Sequence, residues 1–172
     1  HRSGTGNSWD TGTKIVASDG AFTDYVGTSV AITGDYAIVG ARYDDDNGED
    51  SGSAYIFRRT GLNAWDSGFK IDATDGAAGD MFGWSVAIAE DLAVVGAWRN
   101  SDDGEDSGSA YIYRRTGPET WDDGTKITMV AGAADDEFGA SIAIDGDYAI
   151  VGAWRDDDNG ADSGSAHVFI VP

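Results

Sequence analysis

The chain of 172 residues contains no cysteine, which excludes disulfide bracing and thiol chemistry. A domain of this length can bury a sufficient core without either, so secretion is not excluded. Proline is scarce at two residues, while glycine numbers 25, a balance that suits many short strands joined by tight turns. Basic residues are also few: 11 Lys and Arg stand against 31 Asp and Glu, for a formal net charge of −20. So acidic a chain repels nucleic acid and anionic membrane surfaces and attracts cations. The charge reads either as a solubilising surface or as capacity for a divalent metal. No apolar run approaches the ~20 residues of a membrane span, so membrane insertion is not expected. No signal peptide is visible, and His1 in place of a methionine points to a processed, trimmed or excised form.

Self-similarity is the main positive signal. Trp9-Asp10, Trp65-Asp66 and Trp121-Asp122 open the same pattern at a step of 56 residues. Lys14-Ile15, Lys70-Ile71 and Lys126-Ile127 follow in register. So do Gly27, Gly83 and Gly139, then Gly40-Ala41, Gly96-Ala97 and Gly152-Ala153. Asp50 to Ala54 recurs as Asp106 to Ala110 and Asp162 to Ala166. The chain is thus one domain, 1–172, of three repeats at about 9–64, 65–120 and 121–172, with no linker between them.

Each repeat reads as four short antiparallel strands. In the middle copy these are Gly83 to Ala89, Leu92 to Ala97, Ser109 to Arg115 and Trp121 to Thr128. No stretch has helical periodicity. The first two strands place Gly, Ser and Ala between Val and Ile, whereas the last two carry Tyr111, Tyr113 and Trp121. Small residues near an axis and large ones outside suit sheets arranged radially. The expected fold is therefore all-β, with β-propeller blades. A β-trefoil, also built from three four-stranded repeats, is the rival.

Phe82-Gly83 with Gly96-Ala97, and Phe138-Gly139 with Gly152-Ala153, carry a family resemblance. The first copy departs slightly, with Val26-Gly27. These elements are similar to the FG…GA core of FG-GAP repeats, the blades of the integrin α-chain propeller. Ala73 to Gly83, continuing to Ser107 to Tyr111, resembles a bacterial branch of that family. The resemblance covers essentially the whole chain. It implies blades of large secreted or surface-anchored proteins acting in adhesion or as scaffolds, hence an extracellular or cell-surface location. Integrin-type blades often carry a calcium loop between the FG and GA elements. Here Trp84 to Val95 holds only a two-residue turn, so that site cannot be transferred.

Three blades do not close a ring, since propellers use about four to eight. The chain opens with a fourth-type strand, Ser8 to Ala17, and ends after a third-type strand, Ser165 to Val171. A homodimer in which each N-terminal strand completes the partner's last blade would give six blades without an open edge. The alternative is a fragment of a larger propeller.

The acidic loops after the GA elements are the candidate metal sites. Asp44, Asp46 and Asp50 lie in the first, Asp102, Asp103 and Asp106 in the second, and Asp156, Asp158 and Asp162 in the third. Calcium takes six to eight oxygens from such flexible, carboxylate-rich loops. The spacing is not that of an EF-hand, because counting back from Gly48 puts Tyr43 at the first ligand position. In an up-and-down blade these loops share a face with the fourth-to-first connections. Asp24, Asp80 and Asp136 there either complete a metal shell or cap a turn. Arg58-Arg59 and Arg114-Arg115 fall on the opposite face.

Trp98 and Trp154, beside the acidic loops, are candidate sugar-binding residues or covers for the blade ends. Trp9, Trp65 and Trp121 read as structural anchors. Catalysis finds little support: His1 is terminal, His167 replaces Tyr55 and Tyr111 of the other copies, and no triad, zinc cluster or phosphate loop appears. The expectation is a non-catalytic interaction or structural module, calcium-supported, that binds itself and a protein or glycan. A lectin with one site per blade is the alternative, and a hydrolase formed on assembly a distant third.

Overall fold

The computed structural model describes residues 11–171. All regular structure among them is β-strand, in three antiparallel sheets that follow the three repeats. Blade 1 comprises β1 (Val30–Thr33), β2 (Tyr36–Ala41), β3 (Ser53–Gly61), β4 (Ala64–Trp65) and β5 (Phe69–Ile71). Blade 2 comprises β6 (Ser85–Ala89), β7 (Leu92–Ala97), β8 (Ser109–Gly117), β9 (Thr120–Trp121) and β10 (Thr125–Ile127). Blade 3 comprises β11 (Phe138–Asp145), β12 (Tyr148–Ala153) and β13 (Ser165–Ile170). Each repeat forms its own sheet and stacks on the next, as propeller blades do and as a trefoil does not.

The expected fourth strand is broken in two. β4 and β5 both pair with β3, and β9 and β10 both pair with β8. The break has a tertiary cause. Gly124 has φ of 75° and lies against the Tyr113 ring, which a Cβ there would meet at 2.6 Å. Asp122 Oδ1 accepts from Arg114 N and Gly124 N at the kink, as Asp66 does from Arg58 N and Gly68 N. The expected first strand, Ser8 to Ala17, takes no strand conformation over residues 11–17, and its start lies outside the described residues.

Adjacent blades pack face to face. Ile38, Ala54, Ile56 and Ile71 of blade 1 meet Phe82, Val86, Val95, Tyr111 and Tyr113 of blade 2 in one core cluster. Val94 and Ala110 of blade 2 meet Phe138, Ala149 and Val151 of blade 3 in a second. The small inner residues permit this approach. Gly52 and Phe82 form a parallel bridge across the first junction, and Gly108 and Phe138 form one across the second. Ser29 Oγ donates to Gly83 O at 2.7 Å, and Ser85 Oγ donates to Gly139 O at 2.6 Å. Trp121 is buried in the first cluster, and Trp65 packs on Tyr55 and Phe57, as expected of anchors. Trp9 lies outside the described residues.

Candidate functional site

The β2–β3 loop is two successive turns closed on themselves. Gly48 N donates to Asp45 O, Ser51 N to Gly48 O, and Gly52 N to Asp44 O at 2.9 Å. The third copy repeats this at Gly160, Ser163 and Gly164. Asp50, Asp106 and Asp162 turn the chain at positive φ of 56°, 50° and 52°. Asp50 N is capped by Asp45 Oδ1 at 2.7 Å, and Asp106 N by Ser101 Oγ at 3.0 Å.

Into the first loop reaches a lysine that the repeat pattern marked only as a register point. Lys70 Nζ lies 2.9 Å from Asp44 Oδ2, 2.5 Å from Asp46 Oδ2 and 3.1 Å from Asp19 Oδ2. β5 pairs with β3 so that Lys70 stands opposite Tyr55, whose hydroxyl donates to Asp19 Oδ1 at 2.8 Å. Burial alone would push the ammonium down, but its bonds to Asp46, Asp44 and Asp19 outweigh that and hold it above the ordinary lysine value. Burial likewise opposes the Asp19 charge, yet the bonds from Tyr55 and Lys70 hold its carboxyl below the usual range. Asp19 belongs to the connection before β1 and Asp44 to the β2–β3 loop, so both acidic sets share one face.

Blade 2 repeats the cluster with one charge removed. Lys126 Nζ pairs with Asp75 Oδ2 at 3.0 Å and with Asp102, while Tyr111 OH donates to Asp75. Asn100 replaces the buried Asp44 and bridges Asp80 and Ser109. In blade 3, Asp156 and Asp158 meet no lysine among the described residues; Asp158 N donates to Asp156 Oδ1 at 2.9 Å. Asp19 and Tyr55 are here Ala131 and His167, so both members of that pair change together.

Asp24, Asp80 and Asp136 are buried, and each caps the turn before a blade. Their Oδ2 atoms accept from Ala21 N at 2.6 Å, Ala77 N at 3.0 Å and Ala133 N at 2.6 Å. Burial raises the Asp80 and Asp136 carboxyls above the ordinary value despite those bonds. Asp103 is exposed, and Asp162 pairs with Arg155 Nε at 3.1 Å. Of the twelve carboxylates expected to ligate calcium, Asp24, Asp80 and Asp136 thus cap turns, while Asp44, Asp46 and Asp102 meet a lysine. Among the described residues no three acidic or histidine side chains are grouped to hold a metal. Where three do converge, on Lys70, a divalent ion would have to displace the ammonium.

The two tryptophans differ. Trp98 packs against Trp84 with centroids 4.6 Å apart and ring planes tilted by 42°, lies under Arg99 at 4.7 Å, and is half-buried. Trp154 is 61% exposed, and its indole N–H donates to the buried Glu137, which also takes Arg155 Nη1 at 3.1 Å. On the opposite edge, Arg59 pairs with Asp35, Arg115 with Asp91 and Arg58 with Glu119, so that face is mixed in sign.

A family model described as FG-GAP repeat matches residues 9–57, 65–113 and 121–169. No curated protein matches the chain. Among solved structures the chain is similar to the computationally designed Ika4 protein. The identity is 11%, the match covers 94% of this chain and 99% of that one, and the TM-score is 0.38.

Proposed function

Because the chain belongs to the FG-GAP repeat family, we propose that it is a non-catalytic interaction module of a secreted or cell-surface protein, meeting a cationic partner through its acidic face. The observation behind this reading is the convergence of Asp19, Asp44 and Asp46 on Lys70. Lys70 and Lys126 tie down part of the first two loops, while carboxylates such as Asp103 and Asp157 are exposed. With a net charge of −20, such a face draws basic surfaces by long-range attraction that salt screens. Titration with a lysine-rich peptide tests it. Saturable binding that weakens in high salt and in D103N/D157N supports the reading. A lysine-rich peptide that binds no better than a neutral one overturns it.

A second reading, a glycan-binding module, draws on Trp154. Its exposed ring, fixed by the indole N–H bond to the buried Glu137, offers an apolar face on which a sugar ring can stack. Glycan-array binding lost in W154A would favour it over the cationic-partner reading.

A further inference from the structure

The two outer faces of the three-blade stack present the same residues that are buried at the inner junctions. Val86 and Ile88 are 8% and 6% exposed where blade 2 meets blade 1, while their counterparts Val30 and Ile32 are each 67% exposed. At the other end, Ile38 and Ile56 are 0% and 2% exposed, while their counterparts Ile150 and Val168 are 43% and 63% exposed. One end is therefore complementary to the other, by the contacts already made twice within the chain.

The residues before blade 1 are seated to take part. Ile15 and Ala17 pack on Val39, Ala41, Tyr55 and Phe57. Their counterparts Ile71 and Ala73 share a cluster with Val95, Ala97, Tyr111 and Tyr113, the same set one repeat later. Residues 13–15 thus sit where the outermost strand of a preceding blade would lie. Among the described residues no strand pairs with the outer edge of β13, whereas β3 and β8 hold β5 and β10 there. Lys14 is exposed, and Asp158, the counterpart of Asp46 and Asp102, is exposed too.

We propose that a second copy of this chain adds its residues 13–15 to β13, with its Lys14 paired to Asp156 and Asp158, and packs its Val30 and Ile32 face on Ile150 and Val168. The register follows the existing pairs Ile71–Ala54, Lys70–Tyr55 and Ile127–Ala110, Lys126–Tyr111. It places Ile15 of the second copy opposite Ala166, and Lys14 opposite His167. Ser141 Oγ then donates to Gly27 O of the second copy, as Ser29 does to Gly83 and Ser85 to Gly139. The third acidic loop gains the lysine that the other two already have. The second copy's own β13 receives the first copy's strand in turn, so two chains close a ring of six blades with no free edge.

Sedimentation of the 172-residue chain and of two exposed-charge variants, K14E and D158K, tests this. The wild type is expected at the mass of two chains. Each variant alone places like charges at both junctions and should weaken association roughly tenfold or more. An equimolar mixture restores opposite charges at both junctions, so the two-chain mass should return. Circular dichroism of each variant alone separates lost association from lost folding. A wild type at the mass of one chain overturns the proposal, leaving a further blade of a longer polypeptide as the occupant. A mass above two chains overturns ring closure, and a mixture that fails to recover overturns the Lys14 contact.

Discussion

Gly40 lies against Gly83 so closely that a Cβ built on it would fall 2.0 Å from the Gly83 carbonyl oxygen. Gly96 stands in the same relation to Gly139, at 2.1 Å. The GA glycine of one blade is thus seated on the FG glycine of the next. This contact sets the spacing of the stack, because Gly40 is held in the β2–β3 ladder and Gly83 N donates to Gly96 O at 3.0 Å.

Alanine at Gly40 or Gly96 is therefore expected to cost about 3 kcal/mol or more by overpacking a junction. Gly61 is the control: its φ is not positive and an added Cβ meets only Ala64 Cβ at 3.7 Å. G61A should fall within about 0.5 kcal/mol of wild type. Urea unfolding followed by tryptophan fluorescence measures all three.

Lys70→Met should destabilise more than Lys126→Met. The first leaves Asp44, with its side chain 5% exposed, without its cation, at a cost of about 2 kcal/mol. The second strands only the partly exposed Asp75 and Asp102, because Asn100 replaces the buried acid. Equal losses in the two variants would contradict the assignment of Asp44 as the buried centre.

Stability should fall above about pH 10. The folded chain holds the Lys70 ammonium above its ordinary value and, mainly through burial, raises the Tyr55 and Tyr111 hydroxyls. Between the unfolded and folded values the native state binds more protons. The stabilisation is thus complete below the unfolded value and is lost as pH rises through the folded one. Melting curves across the alkaline range should show the loss, and it should be smaller in K70M.

Replacing Trp98 and Trp154 by alanine should separate packing from surface. W98A removes the Trp84 contact and is expected to cost about 2 kcal/mol. W154A, losing a ring that is 61% exposed, should cost less than about 1 kcal/mol. Thermal melts of the two variants check the order.

The stack was legible because its signals are local or strictly periodic. The 56-residue step, the two-residue turns and the FG and GA glycines fix strand order and blade contacts without long-range information. The break at Asp122 to Gly124 was not legible, because it answers to a Tyr113 ring delivered by another strand. The lysine was missed for a similar reason. Lys70 is 24 residues from Asp46 and 51 from Asp19, and only the β3–β5 register brings them together. For Asp24, Asp80 and Asp136 the sequence left turn-capping and metal ligation both open, and the amides of Ala21, Ala77 and Ala133 occupy their Oδ2 atoms.

The most direct test of lysine-fixed acidic loops is the melting temperature with millimolar calcium and with a chelator. A ligand that binds only the folded state raises the midpoint in proportion to its occupancy. The account predicts midpoints within about 1 °C of each other, because Lys70 and Lys126 already occupy the carboxylates that converge in the first two loops, and no three acidic side chains among the described residues are grouped to hold a metal. A midpoint that rises several degrees in calcium and drops in chelator would contradict it and return the aspartates to the role of metal ligands.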